Sequence, residues 1–137
     1  MIVQTQTTSF KAELYQGVHD LLTDTIKIAL YTASANLDQD TTVYTTLNEV
    51  VASGYTAGGA TMTGATLGVS GYTAYVNWAN VSWSTSVTAR CALIYNASQG
   101  NKSVAVLDFG SDKTSTGTFT ITMPANTATS ALIRSSN

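Results

Sequence analysis

The chain has a single histidine, His19, followed directly by Asp20 and then by Asp24. An imidazole beside carboxylates acts as a general base when a nucleophile is brought close to it in space. None of the serines lies in the G-x-S-x-G turn that presents a hydrolase nucleophile. We therefore expect His19 to pack or cap at the end of a helix, or to meet a neighbouring subunit. A small hydrolase that uses His19 and a serine is the enzymatic alternative.

Two pairs of acidic residues have the spacing of a carboxylate site, Asp38 with Asp40 and Asp108 with Asp112. Calcium takes about six to eight oxygen ligands, often from closely spaced acids around a tight glycine turn. Asp40 is not followed by a glycine, and the next acid, Glu49, is nine residues further on. We interpret these residues as solvated loop acids, and we expect neither a metal site nor a cofactor.

Two further features invite a functional interpretation that the sequence does not favour. Cys91 is the only cysteine, and it alternates with Ala89 and Leu93 on one face of a predicted strand. A free cysteine in that setting behaves as a small hydrophobic residue. The glycine-rich run 54–59 lacks the lysine of a phosphate-binding loop and its strand-to-helix context. Neither feature predicts catalysis or nucleotide binding.

Four aromatic residues lie close together in sequence: Tyr72, Tyr75, Trp78 and Trp83. Exposed aromatic side chains stack on sugars or anchor protein interfaces. Packing between neighbouring strands gives the same residues a purely structural role. These four are the candidate contact residues, for a glycan or for a protein interface.

The chain is rich in hydroxyl side chains and poor in charged ones. Its 137 residues include 24 Thr and 14 Ser, whereas 10% are charged and the net charge is −2. The six basic residues are scattered, so no concentrated basic stripe supports nucleic-acid binding. No apolar run approaches the roughly 18 residues that span a bilayer, and residues 1–10 lack a secretory signal. We expect no nucleic-acid partner and no membrane association.

Periodicity predicts one helix followed by strands. Apolar residues at positions 10, 14, 18 and 21 follow a helical repeat, which predicts a helix over residues 9–22 with Ser9 as its N-cap and residues 1–8 as a flexible arm. The period then becomes two, with turns every eight to twelve residues, as is typical of antiparallel sandwiches and barrels. We predict a mainly β, single-domain chain (residues 1–137), with an antiparallel β-sandwich, jelly-roll-like or related, over residues 25–134. The predicted strands cover residues 26–31, 72–78, 81–83, 87–95, 103–109, 118–123 and 131–134.

Several segments also resemble a known family in their residue types and in their order along the chain: Phe10–Leu14, Gly17–His19, Ile26–Thr32, Asn48–Val50, Gly54–Gly59, Ala89–Asn96 and Val106–Gly110. Together they resemble small virion structural proteins of tailed bacteriophages, over about Phe10 to Arg134. The resemblance implies a β-rich fold and a place in the particle, on the capsid or at the neck and tail. It implies no particular binding residues.

The resulting hypothesis is a non-enzymatic virion protein, made in the host bacterial cytoplasm, that decorates or cements a capsid. Its expected partners are other virion proteins and further copies of itself, because a hydroxyl-rich β domain can present strand edges to its own copies. The alternative is a neck, tail or fibre component that contacts host-surface glycans through Tyr72, Tyr75, Trp78 and Trp83. An exposed patch formed by those aromatic side chains would favour the alternative.

Overall fold

Strands account for most of the regular structure in residues 1–136, the part of the chain that the computed structural model describes. Every strand pair is antiparallel. The predicted mainly β, antiparallel architecture with one α-helix is therefore confirmed for this range. In chain order the elements are β1 (Thr5–Gln6), α1 (Thr8–Tyr15), β2 (Ile26–Tyr31), β3 (Ala60–Thr61), β4 (Thr66–Ser70), β5 (Thr73–Asn77), β6 (Val81–Trp83), β7 (Thr88–Asn96), a 3-10 turn (Ala97–Gln99), β8 (Lys102–Thr114), β9 (Phe119–Ile121) and β10 (Ile133–Ser136).

The strands form three sheets. The largest has the order β1-β8-β7-β2-β3, the second has the order β10-β5-β4, and β6 pairs with β9 in the third. The long strands β7 and β8 are joined by a tight connection in which Gly100 and Asn101 both take positive φ, +66° and +60°. Glycine and asparagine tolerate this left-handed conformation better than other residues, which explains why the chain reverses here.

The main core lies against one face of the five-stranded sheet. Ile28 of β2 and Ile94 of β7 pack there with Val76, Trp83 and Phe119 from the two smaller sheets. Residues of the opposite parity, such as Cys91 and Leu93, form a second cluster on the other face with loop residues that include Leu37. The central strands β2 and β7 are thus buried on both faces, which accounts for their nearly continuous apolar sequence.

The helix is shorter than predicted and begins one residue earlier. Thr7 is its N-cap in place of Ser9, because the Thr7 side chain accepts the hydrogen bond from Phe10 N. It ends at Tyr15 because Gly17 takes φ +70°, while Gly17 N and Val18 N donate to the carbonyls of Leu14 and Glu13. This is a Schellman motif, in which a left-handed glycine closes a helix. Residues 18–20 of the predicted helix are irregular, and residues 21–22 form a turn.

The N-terminal segment is not a flexible arm. Val3 N donates to Leu37 O at 2.9 Å, and β1 pairs with Ala105 and Val106 of β8. Thr7 is completely buried. Backbone pairing therefore holds residues 2–3 against the loop at Leu37 and residues 5–7 against β8 of the five-stranded sheet, an arrangement that a polar sequence without periodicity does not reveal.

Strands β1, β3 and β4 lie outside the predicted strand ranges. The seven predicted strands agree with the structure within a few residues, with one substantial exception. Strand β8 continues to Thr114, five residues beyond the predicted end, through a hydroxyl- and aspartate-rich stretch that has the composition of a turn. Its pairing with Thr88 and Ala89 of β7 keeps this stretch extended. The last strand ends at Ser136, two residues beyond the predicted sheet region.

Candidate functional site

His19 is an internal structural residue. Its side chain is fully buried just beyond the end of α1, and its ring packs against Phe10 with 5.0 Å between ring centroids. Nε2 lies 2.9 Å from Glu13 Oε1, and Nδ1 lies 3.0 Å from Asn96 Nδ2. The expectation that His19 packs at the helix end is confirmed.

Asn96 determines which atom of His19 carries the ring proton. Asn96 Oδ1 accepts a hydrogen bond from Ser98 N at 3.0 Å, so its Nδ2 must be the donor to both His19 Nδ1 and Asp24 Oδ2. His19 Nδ1 is then an acceptor, and Nε2–H donates to Glu13. Both ring nitrogens are engaged with groups other than a serine, which removes the geometric basis for the His19 hydrolase.

The structure also reveals a buried carboxylate cluster that the sequence did not predict. Glu49 is 8% exposed and lies in the long connection between β2 and β3. Its Oε1 accepts a hydrogen bond from the Tyr44 hydroxyl at 2.6 Å. Its Oε2 accepts one from the Tyr55 hydroxyl at 2.6 Å and one from Gly58 N at 2.8 Å. A buried carboxylate with three donors has its hydrogen-bonding capacity well met, so this arrangement stabilises the connection.

Tyr95 and Tyr55 link the Glu49 cluster to the five-stranded sheet. Tyr95 of β7 donates to Gly58 O at 2.6 Å and stacks on Tyr44 with 4.7 Å between centroids. Leu30 N of β2 donates to the Tyr55 hydroxyl at 2.9 Å. Burial, together with the nearby Glu49 carboxylate, raises the pKa of Tyr95 to about 12. The same two causes raise the pKa of Tyr55 well above its usual value. The hydroxyls therefore stay protonated and act as hydrogen-bond donors.

The glycine-rich run next to this cluster serves close packing. A Cβ atom on Gly59 would lie 1.8 Å from Ile28 O, and one on Gly54 would lie 2.0 Å from Ser84 O. Both glycines also have positive φ, +80° and +87°. The run 54–59 thus passes directly over β2 and the segment after β6, where only glycine fits.

The four candidate aromatic residues do not form one exposed patch. Trp78 and Trp83 are core residues with 5% and 6% exposure, and Trp83 packs against Phe119 at 6.3 Å between centroids. Tyr75 is half-buried because its ring lies over Gly68 on the neighbouring strand. Tyr72 is 89% exposed at the turn between β4 and β5. The sequence-based glycan hypothesis loses the tryptophans on which it depended.

The two acidic pairs lie in different settings: Asp38 and Asp40 are in a loop, as expected, whereas Asp108 and Asp112 are in strand β8 and not in a loop. Asp38 Oδ1 accepts a hydrogen bond from Asp40 N at 2.9 Å, and Asp108 Oδ1 accepts one from Arg90 Nε at 3.2 Å. Cys91 is fully buried, and burial raises the pKa of its thiol to about 12. Within residues 1–136, no three His, Cys, Asp or Glu side chains are grouped so that they could hold a metal ion.

A groove of about 510 Å³ opens between the end of β8 and β9. Phe109 and Phe119, 6.1 Å apart between centroids, line it together with Ile121 and several threonines. Lys113 is the ionisable residue of this lining in the described part of the chain. The groove has the character of a contact surface, because it offers apolar rings and hydroxyls without an acid–base pair.

The β4–β5 hairpin, residues 66–77, is the candidate functional surface. Leu67, Val69 and Tyr72 are 54%, 70% and 89% exposed on it. The sequence carries no charged residue from position 50 to position 89, so the whole hairpin is uncharged. Exposed apolar side chains concentrated on one uncharged element are characteristic of a protein contact. The position of Tyr72 in this surface is the part that the sequence identified.

Comparison of the chain with family models, with curated proteins and with solved structures finds no match. In residues 1–136, no helix is long and apolar enough to cross a membrane.

Proposed function

We propose that this chain is a non-enzymatic structural protein of a tailed-bacteriophage particle, acting as a capsid decoration or cement protein. The observation that carries the proposal is the uncharged β4–β5 hairpin, whose Leu67, Val69 and Tyr72 side chains are exposed. A cement protein acts through contact with its neighbours, and an exposed tyrosine on an apolar surface is the type of side chain that anchors such contacts.

The resemblance to virion proteins supports this proposal because it falls on residues that hold the fold together. Residues 48–50 and 54–59 include Glu49 and Gly58, which bond to each other, and Gly59, which packs on β2. Residues 26–32 and 89–96 contain the central strands β2 and β7. A likeness concentrated in such positions supports a shared architecture.

The use of the reactive side chains also supports a structural role. His19, Glu49 and Cys91 are buried, and His19 and Glu49 have hydrogen-bond partners inside the protein. We also infer that the sheets form an antiparallel β-sandwich, of jelly-roll or related order. The support is a core that joins side chains of the five-stranded sheet to side chains of both smaller sheets.

A reconstitution experiment tests the proposal. Particles of the encoding phage are prepared without this protein, mixed with the purified chain and sedimented. The proposal requires saturable co-sedimentation at a fixed ratio to the capsid, and particles that withstand a higher temperature when loaded. A chain that stays in the supernatant at every concentration would overturn the proposal.

A matched pair of variants locates the contact. Tyr72→Asp introduces charge into the hairpin surface and should weaken particle binding by at least about tenfold, the scale of losing a tyrosine that anchors an interface as a hot spot. Tyr15 is 94% exposed at the end of α1 and does not belong to the hairpin, so Tyr15→Asp serves as the control. Equal binding by the two variants would show that the hairpin is not the contact surface.

A further inference from the structure

Strand β4 has a free edge. It lies at the end of the β10-β5-β4 sheet and pairs through residues 66–70 with β5 on one side. On its other side, no strand of residues 1–136 pairs with it. An edge strand presents a row of backbone N–H and C=O groups that can bond to the backbone of another extended chain.

This edge lacks the devices by which proteins keep strand edges unpaired. Charged side chains, proline and bulges are the usual protection, and the sequence of β4, Thr-Leu-Gly-Val-Ser, contains no charge and no proline. Its register with β5 is continuous from Thr66 to Ser70, without a bulge. By contrast, β10 at the opposite edge of the same sheet carries Arg134.

The side chains of β4 make the edge apolar on one face. Leu67 lies opposite Val76 and Val69 lies opposite Ala74, so these four share a face. Val76 is buried in the core, whereas Leu67 and Val69 extend the same face into solvent. The apolar face that packs on the core at Val76 therefore extends onto β4, where its side chains are exposed to solvent.

We propose that β4 pairs antiparallel with β4 of a second copy, about a two-fold axis at Gly68, to give a continuous six-stranded sheet. In this register Leu67 of each copy faces Val69 of the other, and about four or more backbone hydrogen bonds form across the axis. This self-association goes beyond the proposed function, since two copies can pair in solution whether or not they bind a particle.

Three features select a second copy as the occupant. The strand is self-complementary, because the spacing Leu-Gly-Val places an apolar residue opposite an apolar residue when it is reversed on itself. No charge between positions 50 and 89 repels the same segment of another copy. Gly68 has no side chain at the axis, and Tyr75 of the same chain already covers it on the other face. An isologous contact of this kind closes as a dimer.

Sedimentation of single-site variants tests the pairing. The wild-type chain should show a concentration-dependent mass that approaches twice 14.4 kDa. Val69→Lys places a charge at the edge and should leave a monomer over the same concentrations. Val51 is an exposed valine in a loop, 98% exposed, so Val51→Lys is the matched control and should still form dimers. Circular dichroism confirms that both variants are folded.

Cross-linking tests the register. The double variant Leu67→Cys/Val69→Cys should form a covalent dimer under mild oxidation, because the two new thiols face each other across the axis. Val51→Cys should remain monomeric on the same gel. Cys91 is buried and does not compete.

Three results would overturn the proposal: a wild-type chain that is monomeric at all concentrations, a dimer that survives Val69→Lys, or an assembly larger than a dimer. Each is independent of the particle-binding result.

Discussion

The Tyr55 hydroxyl donates to Glu49 Oε2 at 2.6 Å and accepts from Leu30 N of β2 at 2.9 Å. One side chain thus links the long β2–β3 connection both to its buried carboxylate and to the backbone of the central sheet. The loop is held by a polar network whose members must all be present, because a partly satisfied buried network is costly.

Glu49→Gln tests this network. Glutamine keeps one acceptor oxygen, so its NH2 group would face either the Tyr44 hydroxyl or the Tyr55 hydroxyl and Gly58 N, all of which donate to Glu49 in the wild type. We expect the free energy of unfolding to fall by about 3 kcal/mol, the scale of losing charged buried hydrogen bonds. Urea denaturation measures it, with exposed Asp112→Asn as the control. An unfolding midpoint equal to that of wild type would show that the cluster does not stabilise the fold.

Gly59→Ala tests the close approach of the glycine-rich run to β2. The added Cβ would meet Ile28 O at 1.8 Å from a backbone with φ +80°, so we expect a loss of about 3 kcal/mol in unfolding free energy. Gly117→Ala is the matched control, since a Cβ there meets no atom within 4 Å. If the two alanine variants melt at the same temperature, the packing argument fails.

Acid should destabilise the protein through Asp24. The side-chain hydrogen bond from Asn96 is the largest cause that holds the Asp24 pKa below its ordinary 3.8. A carboxylate with a depressed folded-state pKa contributes stability above the unfolded value and loses it as the pH falls through the folded value. The unfolding midpoint should therefore drop as the pH goes from above 3.8 to well below it.

Asp24→Asn should make that acid dependence shallower. Asp40→Asn, which removes a carboxyl group in an exposed loop, is the control that shows whether the change is specific to Asp24. Urea midpoints at pH 7, 4 and 3 provide the comparison. An acid slope that Asp24→Asn does not change would assign the effect to other groups.

Cys91 should be inert in the native protein. Its pKa of about 12, raised by burial, leaves almost no thiolate at pH 8, and the thiolate is the reactive form. A thiol reagent should label the chain only after urea is added. Val51→Cys supplies an exposed thiol that should react at once, and rapid labelling of native wild type would contradict the buried position of Cys91.

The sequence predicted those elements whose signal is local. Strands β2 and β7 were found because alternation and apolar runs persist over six to nine residues. The helix was overextended because Leu14 and Val18 continue the repeat, although Gly17 closes the helix between them. The last third of β8 has turn-like composition and is extended only because β7 pairs with it.

Among the candidate site residues, too, those with a local sequence signal could be predicted, whereas those that depend on tertiary packing could not. The burial of Cys91 followed from its place in an apolar strand, whereas the burial of Trp78 and Trp83 depends on how the smaller sheets pack. The Glu49 cluster could not be predicted, because Tyr44, Tyr55 and Tyr95 meet only after the β2–β3 connection folds over β7. The one signal for this cluster in the sequence is that Glu49 stands alone as an acidic residue before the uncharged segment 50–89.

The central claim is that the chain acts by contact through its β4–β5 hairpin within a phage particle. An image of the assembled particle at side-chain resolution tests it most directly. The account predicts this chain on the capsid, with Tyr72 buried against a neighbouring subunit. A particle that lacks the chain, or one in which residues 66–77 face open solvent, would contradict it.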